Sequence, residues 1–370
     1  MKKTCLYPLH EKLGAKMAEF GGYLMPIQYS GILKEHQACR ERAVLFDTDH
    51  MGVFRVTGPH ALQNIEMLVS CDVASMATGQ CRYGLMCNPA GGVIDDLLVY
   101  RLGGSDFMLV VNAGTKEGDL AWIQKHLAAD THIENQGSQT AKIDLQGPES
   151  PWLIQRLLME SVSELKFFRF MHNSYRDRHV IVSRTGYTGE IGFEIYITLE
   201  LAQKFWQDCM ELEAIPAGLG ARDTLRLEMG MPLYGHELST RRNAGESGLE
   251  RVLSSTKEFI GSTVVNDRSL RRSRLVGIEI QGRRAARQGD EILDGAGMPI
   301  GTVTSGSFSP SLGFAIALGY VPESLCELGT PLKLKGPRSE LDGKVVGLPF
   351  YTQATGRGKM HDFLAAKSRG

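Results

Sequence analysis

The sequence predicts an α+β chain, with helices and strands mixed through the first 270 residues and a C-terminal module of short antiparallel strands. Three observations carry this. Apolar residues recur at helical spacing in two stretches, strand-like runs flank glycine-rich turns, and beyond residue 275 short apolar runs are broken by Gly and Pro.

The helical stretches come first. Ala61, Leu62, Ile65, Leu68 and Val69 share one helical face, as do Phe205, Trp206, Cys209 and Met210 within 201–212. Residues 93–102 and 107–113 are rich in Val, Leu and aromatics around Gly103-Gly-Ser-Asp106, which reads as a hairpin. A second hairpin joins 179–184 to 192–197 through Thr185-Gly-Tyr-Thr-Gly189. Residues 253–274 look polar and helix-like. After them, segments 276–280, 291–293, 300–304, 315–320, 331–334 and 344–348 read as six short strands, suiting a small barrel or sandwich. The expected division is 1–270, 271–355 and a polar tail over 356–370.

Composition narrows the function. With 42% hydrophobic and 22% charged residues the chain resembles an ordinary folded protein. A net charge of -1 offers no global attraction to nucleic acid or an anionic membrane, so neither is an expected partner. The polar start Met1-Lys-Lys-Thr-Cys5 and the absence of a long apolar run point to the cytoplasm. Seven cysteines without a Cys-x-x-Cys suit free thiols, so neither a disulfide nor a metal is expected.

Common motifs fail. Gly218-x-Gly220 begins a dinucleotide fingerprint, but Asp223 occupies the third glycine position, and no phosphate-binding loop, His-Glu-x-x-His or nucleophile elbow occurs.

The best catalytic candidates are the acids Asp95 and Asp96 within an apolar strand, where neighbouring side chains face opposite ways and only one enters a given pocket. A hairpin centred near Gly104 sets Asp96 opposite Asn112, close enough to orient its carboxylate. The plain alternative makes both acids solvated edge residues. Glu194 shares a strand face with Tyr196 and Thr198, which by itself suggests an exposed glutamate, and Arg222 at the start of a helix suggests a surface ion pair. His36, His50 and His236 stand alone and read as structural or hydrogen-bonding rather than as ligands. Between 269 and 288 six arginines (271, 272, 274, 283, 284 and 287) accompany the single Glu279, a face suited to an acidic partner or to solubility.

Ordered blocks along nearly the whole chain resemble the glycine cleavage T-protein (aminomethyltransferase) family. They include Met25-Pro-Ile-Gln-Tyr29, Leu45-Phe-Asp-Thr-Asp-His-Met-Gly52, Tyr83-Gly-Leu-Met-Cys-Asn88, Gly91-Gly-Val-Ile-Asp-Asp96, Ser183-Arg-Thr-Gly-Tyr-Thr-Gly-Glu190, Leu233-Tyr-Gly-His236 and Thr304-Ser-Gly-Ser-Phe-Ser-Pro310. The resemblance implies a three-lobed cloverleaf: two interleaved α/β lobes binding folate and a C-terminal antiparallel β-barrel. It implies transfer of an aminomethyl group from the lipoyl arm of an H-protein to tetrahydrofolate, with ammonia released.

In that family pattern Asp96 matches the catalytic aspartate, and Glu194 the carboxylate that accepts the pterin's N–H edge in bidentate fashion. Arg222 and, more loosely, Arg357 match cations of the folate site, while Tyr83, Asn112, Tyr187 and Met51 would line the pterin pocket. The chain departs from the pattern at Arg251, where the family has a tryptophan, at Tyr23 for another tryptophan and at Asp49 for a serine. The alternatives are another folate-dependent enzyme of this fold, such as a demethylase, or a non-enzymatic folate-binding accessory protein. Members of the latter group carry a Lys-Gly-Cys motif that this chain lacks.

Overall fold

A computed structural model describes residues 1–128, 130–337 and 339–364. Alternation of apolar and polar residues builds two mainly antiparallel sheets from the first part of the chain. One has five strands in the order Gln80–Cys87, Val93–Arg101, Asp106–Val111, Gly52–Thr57 and His132–Asn135. The other has six: Phe170–Tyr175, Arg178–Ser183, Gly192–Thr198, Thr140–Gln146, Val44–Asp47 and Ile215–Pro216. The chain enters the six-stranded sheet at Val44, leaves to build the five-stranded one, and returns at Thr140, so the lobes are interleaved.

Both expected hairpins form. Leu98 pairs with Val110 and Tyr100 with Met108, a register that sets position 96 across from 112. Ser183 pairs with Glu194 in the second hairpin.

Each sheet buries its outer face under helices. Ala61, Ile65 and Leu68 of helix Ala61–Leu68 and Ile123 of helix Lys116–His126 pack on Leu97, Val99, Leu109 and Val111. Phe205, Trp206 and Cys209 of helix Leu199–Glu211 pack on Ile143, Leu145, Phe193 and Ile195. The inner faces meet through Tyr100, Val110, Phe170 and Tyr196. Because side chains alternate along a strand, Asp96, Leu98 and Tyr100 look inward while Asp95, Leu97 and Val99 look toward the helices.

The C-terminal strands close a six-stranded antiparallel barrel, Ser273–Ile280, Ala315–Pro322, Pro299–Phe308, Glu291–Leu293, Pro331–Gly336 and Ser339–Val346, which decides against an open sandwich. Closure leaves no edge strand. The barrel packs on helix Leu219–Glu228 through Leu227, Ile316, Leu318 and Tyr320.

Two expectations change. Within 253–274 the helical structure is the short helix Ser262–Asn266 and the single turn Arg268–Leu270, because Gly261 and Asp267 bound the helix, and the first barrel strand begins at Ser273. The segment from Gly356 packs back on the protein: Arg184 donates hydrogen bonds to the carbonyls of Gly356 and Gly358, and Met360 of helix Met360–Leu364 is buried in the core that contains Trp206. The end of that expected tail, 365–370, lies outside the described residues.

Candidate active site

The inner sheet faces, the start of helix Leu219–Glu228 and the segment before the barrel enclose a central cavity of about 1690 Å³. All nine residues expected at the site line it: Met51, Tyr83, Asp96, Asn112, Tyr187, Glu194, Arg222, Arg251 and Arg357. Single ligand pockets usually span roughly 300 to 1000 Å³, so this one has room for two reacting groups.

Asp96 is held from both neighbouring strands. Tyr83 donates its hydroxyl proton to Asp96 Oδ2 at 2.9 Å, and the Asn112 amide donates to Oδ1 at 2.9 Å. The carboxyl is pushed up to about 7, first by burial and then by the charge of Asp95, against the opposing pull of the Tyr83 and Asn112 hydrogen bonds. The solvated-edge reading of the two acids is corrected: their strand lies between two others, and Asp95 is completely buried. Asn112 also serves Asp95, donating its backbone N–H to Oδ2 and its amide to Oδ1, each at 2.9 Å.

On the facing sheet Glu194 is buried, which corrects the exposed-glutamate reading. Lys142 donates to Glu194 Oε1 at 2.8 Å, while Tyr100 and Thr185 donate to Oε2 at 3.0 and 2.7 Å. Lys142 also donates to Asp144 Oδ1 at 2.6 Å, and Arg222 to Asp144 Oδ2 at 2.7 Å. Two cations and two carboxylates thus neutralise one another inside the protein. Burial opposes the charge on Asp144, but Lys142 and Arg222 outweigh it and hold the carboxyl below its ordinary value.

Arg222 is therefore no surface pair: its side chain is 14% exposed, and its guanidinium lies 5.0 Å from the Tyr187 ring centre. The glycines before it serve packing, since a Cβ on Gly218 would strike the backbone of Ile27 and one on Gly220 the side chain of Ile32. Tyr187 donates its hydroxyl to the Pro232 carbonyl. Met51 is half-buried. Arg251, on the turn Glu250–Val252, and Arg357, 5.8 Å from the Phe167 ring centre, are exposed and belong to the cavity's rim.

Of the three histidines, His36 and His236 make hydrogen bonds, and His50 and His236 line the cavity. His36 Nδ1 meets the Thr224 hydroxyl at 2.8 Å, and His236 Nδ1 meets the Thr304 carbonyl at 3.1 Å. His50 lines the cavity with Nδ1 unpartnered, and burial pushes its pKa down to about 4, so it is neutral. At the departures from the family pattern, Tyr23 accepts a hydrogen bond from Lys116, and Asp49 accepts one from the Cys5 N–H at 3.1 Å.

Sequence reasoning missed Lys142, Asp144, Tyr100 and Thr185. A usable signal existed for the first two: Lys142 and Asp144 alternate with Ala141, Ile143 and Leu145, which places both polar groups on the face opposite the helices.

Residues 6–257 match the family model of the GCVT N-terminal domain, and 273–352 match that of the glycine cleavage T-protein C-terminal barrel domain. An aminomethyltransferase from Desulforamulus reducens is 40% identical over 358 residues, covering 95% of this chain and 98% of the relative. One from Halothermothrix orenii is 41% identical, covering 95% of this chain and 100% of the relative. The crystal structure of glycine cleavage system aminomethyltransferase T from Bartonella henselae superposes with a TM-score of 0.90 at 32% identity, covering 96% of this chain and 99% of that one. Two family models in sequence order, nearly end-to-end relatives and a shared three-lobed architecture place this chain in the glycine cleavage T-protein family.

Proposed function

We propose that the chain is a cytoplasmic aminomethyltransferase that takes the aminomethyl group from the lipoyl arm of an H-protein, passes its methylene carbon to tetrahydrofolate and releases ammonia. The observation that carries this reading is Asp96, held between Tyr83 and Asn112 on the wall of a cavity large enough for folate and a carrier arm.

Asp96 accepts a hydrogen bond or proton from the attacking folate nitrogen and stabilises the cationic character that develops as the C–N bond to ammonia breaks. The second folate nitrogen then displaces the lipoyl sulfur, and the two folate protons leave on ammonia and on the released thiol. A pKa near 7 suits this work, since the group is ionised in part at neutral pH and can still take a proton. Donors from two sides fix its orientation, and no covalent bond to the enzyme is needed.

Glu194 receives an N–H of the pterin at Oε1. The bidentate contact expected from sequence meets an Oε2 that already accepts from Tyr100 and Thr185, so one of those hydroxyls turns away or Oε1 serves alone. Arg251 and Arg357, exposed on the rim, are cations for the acidic end of folate, while Arg222, paired with Asp144, supports the folate site from beside the Tyr187 ring. Met51 and Tyr187 give the flat ring apolar and aromatic surface.

For the carrier, with the exposed arginines 272 and 274 at the start of strand Ser273–Ile280, the exposed arginines 283, 284 and 287 just past its end are the docking residues. Next to them Gln288 donates to the carbonyl of Gly235, which lies between the cavity residues Tyr234 and His236. Among the described residues no helix is long and apolar enough to cross a membrane.

The test is turnover with aminomethylated H-protein and tetrahydrofolate. Ammonia and methylene-tetrahydrofolate are expected in equal amounts. Folate-dependent turnover of a methyl donor without ammonia would replace this reading with a demethylase.

A further inference from the structure

Asp119 has no part in the reaction described above, and its surroundings are unusual for a carboxylate. It lies in the first turn of helix Lys116–His126, is completely buried, and neither of its oxygens meets a hydrogen-bond donor. The nearby Thr115 hydroxyl is spent on the Asn112 carbonyl at 3.2 Å. What Asp119 interacts with is another carboxyl: Asp95, which points from the opposite side of the Asp96 strand into the layer of helix Lys116–His126. Two buried carboxylates without a cation between them repel strongly, whereas one proton turns the repulsion into a hydrogen bond.

Asp95 accepts both Asn112 donors, one at each oxygen, which favours its charge, while its contact with Asp119 raises the pKa of Asp95 and lowers that of Asp119, so the one proton is shared between the two carboxyls. The same Asn112 amide that reaches Asp95 also reaches Asp96 Oδ1. An amide nitrogen has two protons, so one goes to each acid and Asn112 is locked between them.

We propose that Asp95 and Asp119 hold one proton between them and that this pair, acting through Asn112, fixes the Asp96 carboxylate in its working orientation. Burial pushes both acids of the pair up, Asp119 to about 7. Tyr83, Tyr187 and Tyr234 are the other titratable groups facing the three acids, and all three are neutral phenols raised by burial. Asp95 and Asp119 are positioning residues. The inference rests on the reading of Asp96 as the catalytic carboxylate only for its effect on rate.

Two measurements on the full-length protein test it. The infrared difference spectrum between native protein and Asp119→Asn at neutral pH should show a protonated-carboxyl C=O band lost in the variant, and the band should persist in Asp96→Asn. In transfer assays Asp119→Asn keeps a donor toward Asp95 at unchanged charge and should retain kcat within about threefold, while Asp119→Leu lets Asn112 swing and should lose about 10- to 100-fold in kcat with the KM for tetrahydrofolate little changed.

Absence of the band overturns the shared proton. Equal activity of Asp119→Asn and Asp119→Leu overturns the positioning role. Should Asp119→Leu fail to fold, the band still decides the shared proton, and Asp119→Ala, which likewise removes the partner of Asp95, takes its place in the transfer assay. Full turnover by Asp96→Asn would sink the catalytic reading of Asp96, and the band would then test the shared proton independently.

Discussion

Lys142 donates to Glu194 across 2.8 Å inside the protein, with the lysine side chain 1% and the glutamate 6% exposed. Removing the lysine leaves Glu194, Asp144 and Arg222 with a net buried negative charge. Lys142→Met should therefore lower unfolding free energy by about 3 to 5 kcal/mol in urea titrations. Adding Glu194→Gln restores neutrality and should recover at least about 1 kcal/mol of that loss. No recovery would show that the lysine matters for packing rather than charge. The same network sets an acid limit. Asp144 is held below its ordinary 3.8, so its stabilisation is full above that pH and drains away as pH falls through the lower folded value.

Asp96 gives the opposite sign. Its folded pKa of about 7 exceeds its ordinary 3.8, so between these values the folded state binds more protons and stability falls as pH rises. Asp96→Asn should cut transfer by about 10²-fold or more. Above neutral pH it should also unfold later in urea than native protein, by about 1 to 2 kcal/mol. Asp95→Asn, acting through Asn112, should cost less in single turnover. Equal losses for the two variants would refute the division of roles.

The Tyr83 hydroxyl favours the ionised form of Asp96, and turnover requires that form, so rate should rise with pH through about 7. Tyr83→Phe should move this limb upward by about 0.5 to 1 pH unit, the equivalent of one hydrogen bond of about 1 kcal/mol. An unmoved limb would assign the titration to another group.

Arg251 sits on the cavity rim where the family pattern places an aromatic wall. A guanidinium also stacks on flat rings and pairs with anions, so native protein should bind tetrahydrofolate measurably, and Arg251→Trp should change the affinity by less than about 3 kcal/mol. Calorimetric titration of both forms checks this. If only Arg251→Trp binds folate at millimolar concentrations, the site's ligand has changed.

Arg283 and Arg284 are exposed on the barrel side, with Arg283 4.4 Å from the Phe308 ring centre. Reversing both to Glu should slow association with the H-protein and flatten its salt dependence without changing folate affinity. Unchanged carrier binding would leave the cluster as a solvated face.

The sequence by itself determined what short-range patterns can hold. The turn at Gly103–Asp106 and the twofold period of its strands were enough to set Asp96 against Asn112, because a hairpin's register follows from its turn. The blocks of family residues likewise pointed to the residues that line the cavity.

Only the tertiary structure decided which of these polar groups are buried and what neutralises them. Glu194 looked exposed because its strand alternates normally; it is buried because a second sheet covers that face. Its partner Lys142 is 52 residues away, and the Arg222–Asp144 pair spans 78. Asp119 and Asp95 come together across a strand and a helix, with nothing in either local pattern to announce it. Burial and charge compensation depend on contacts between distant segments, and these exist only once the two sheets and their helices have packed.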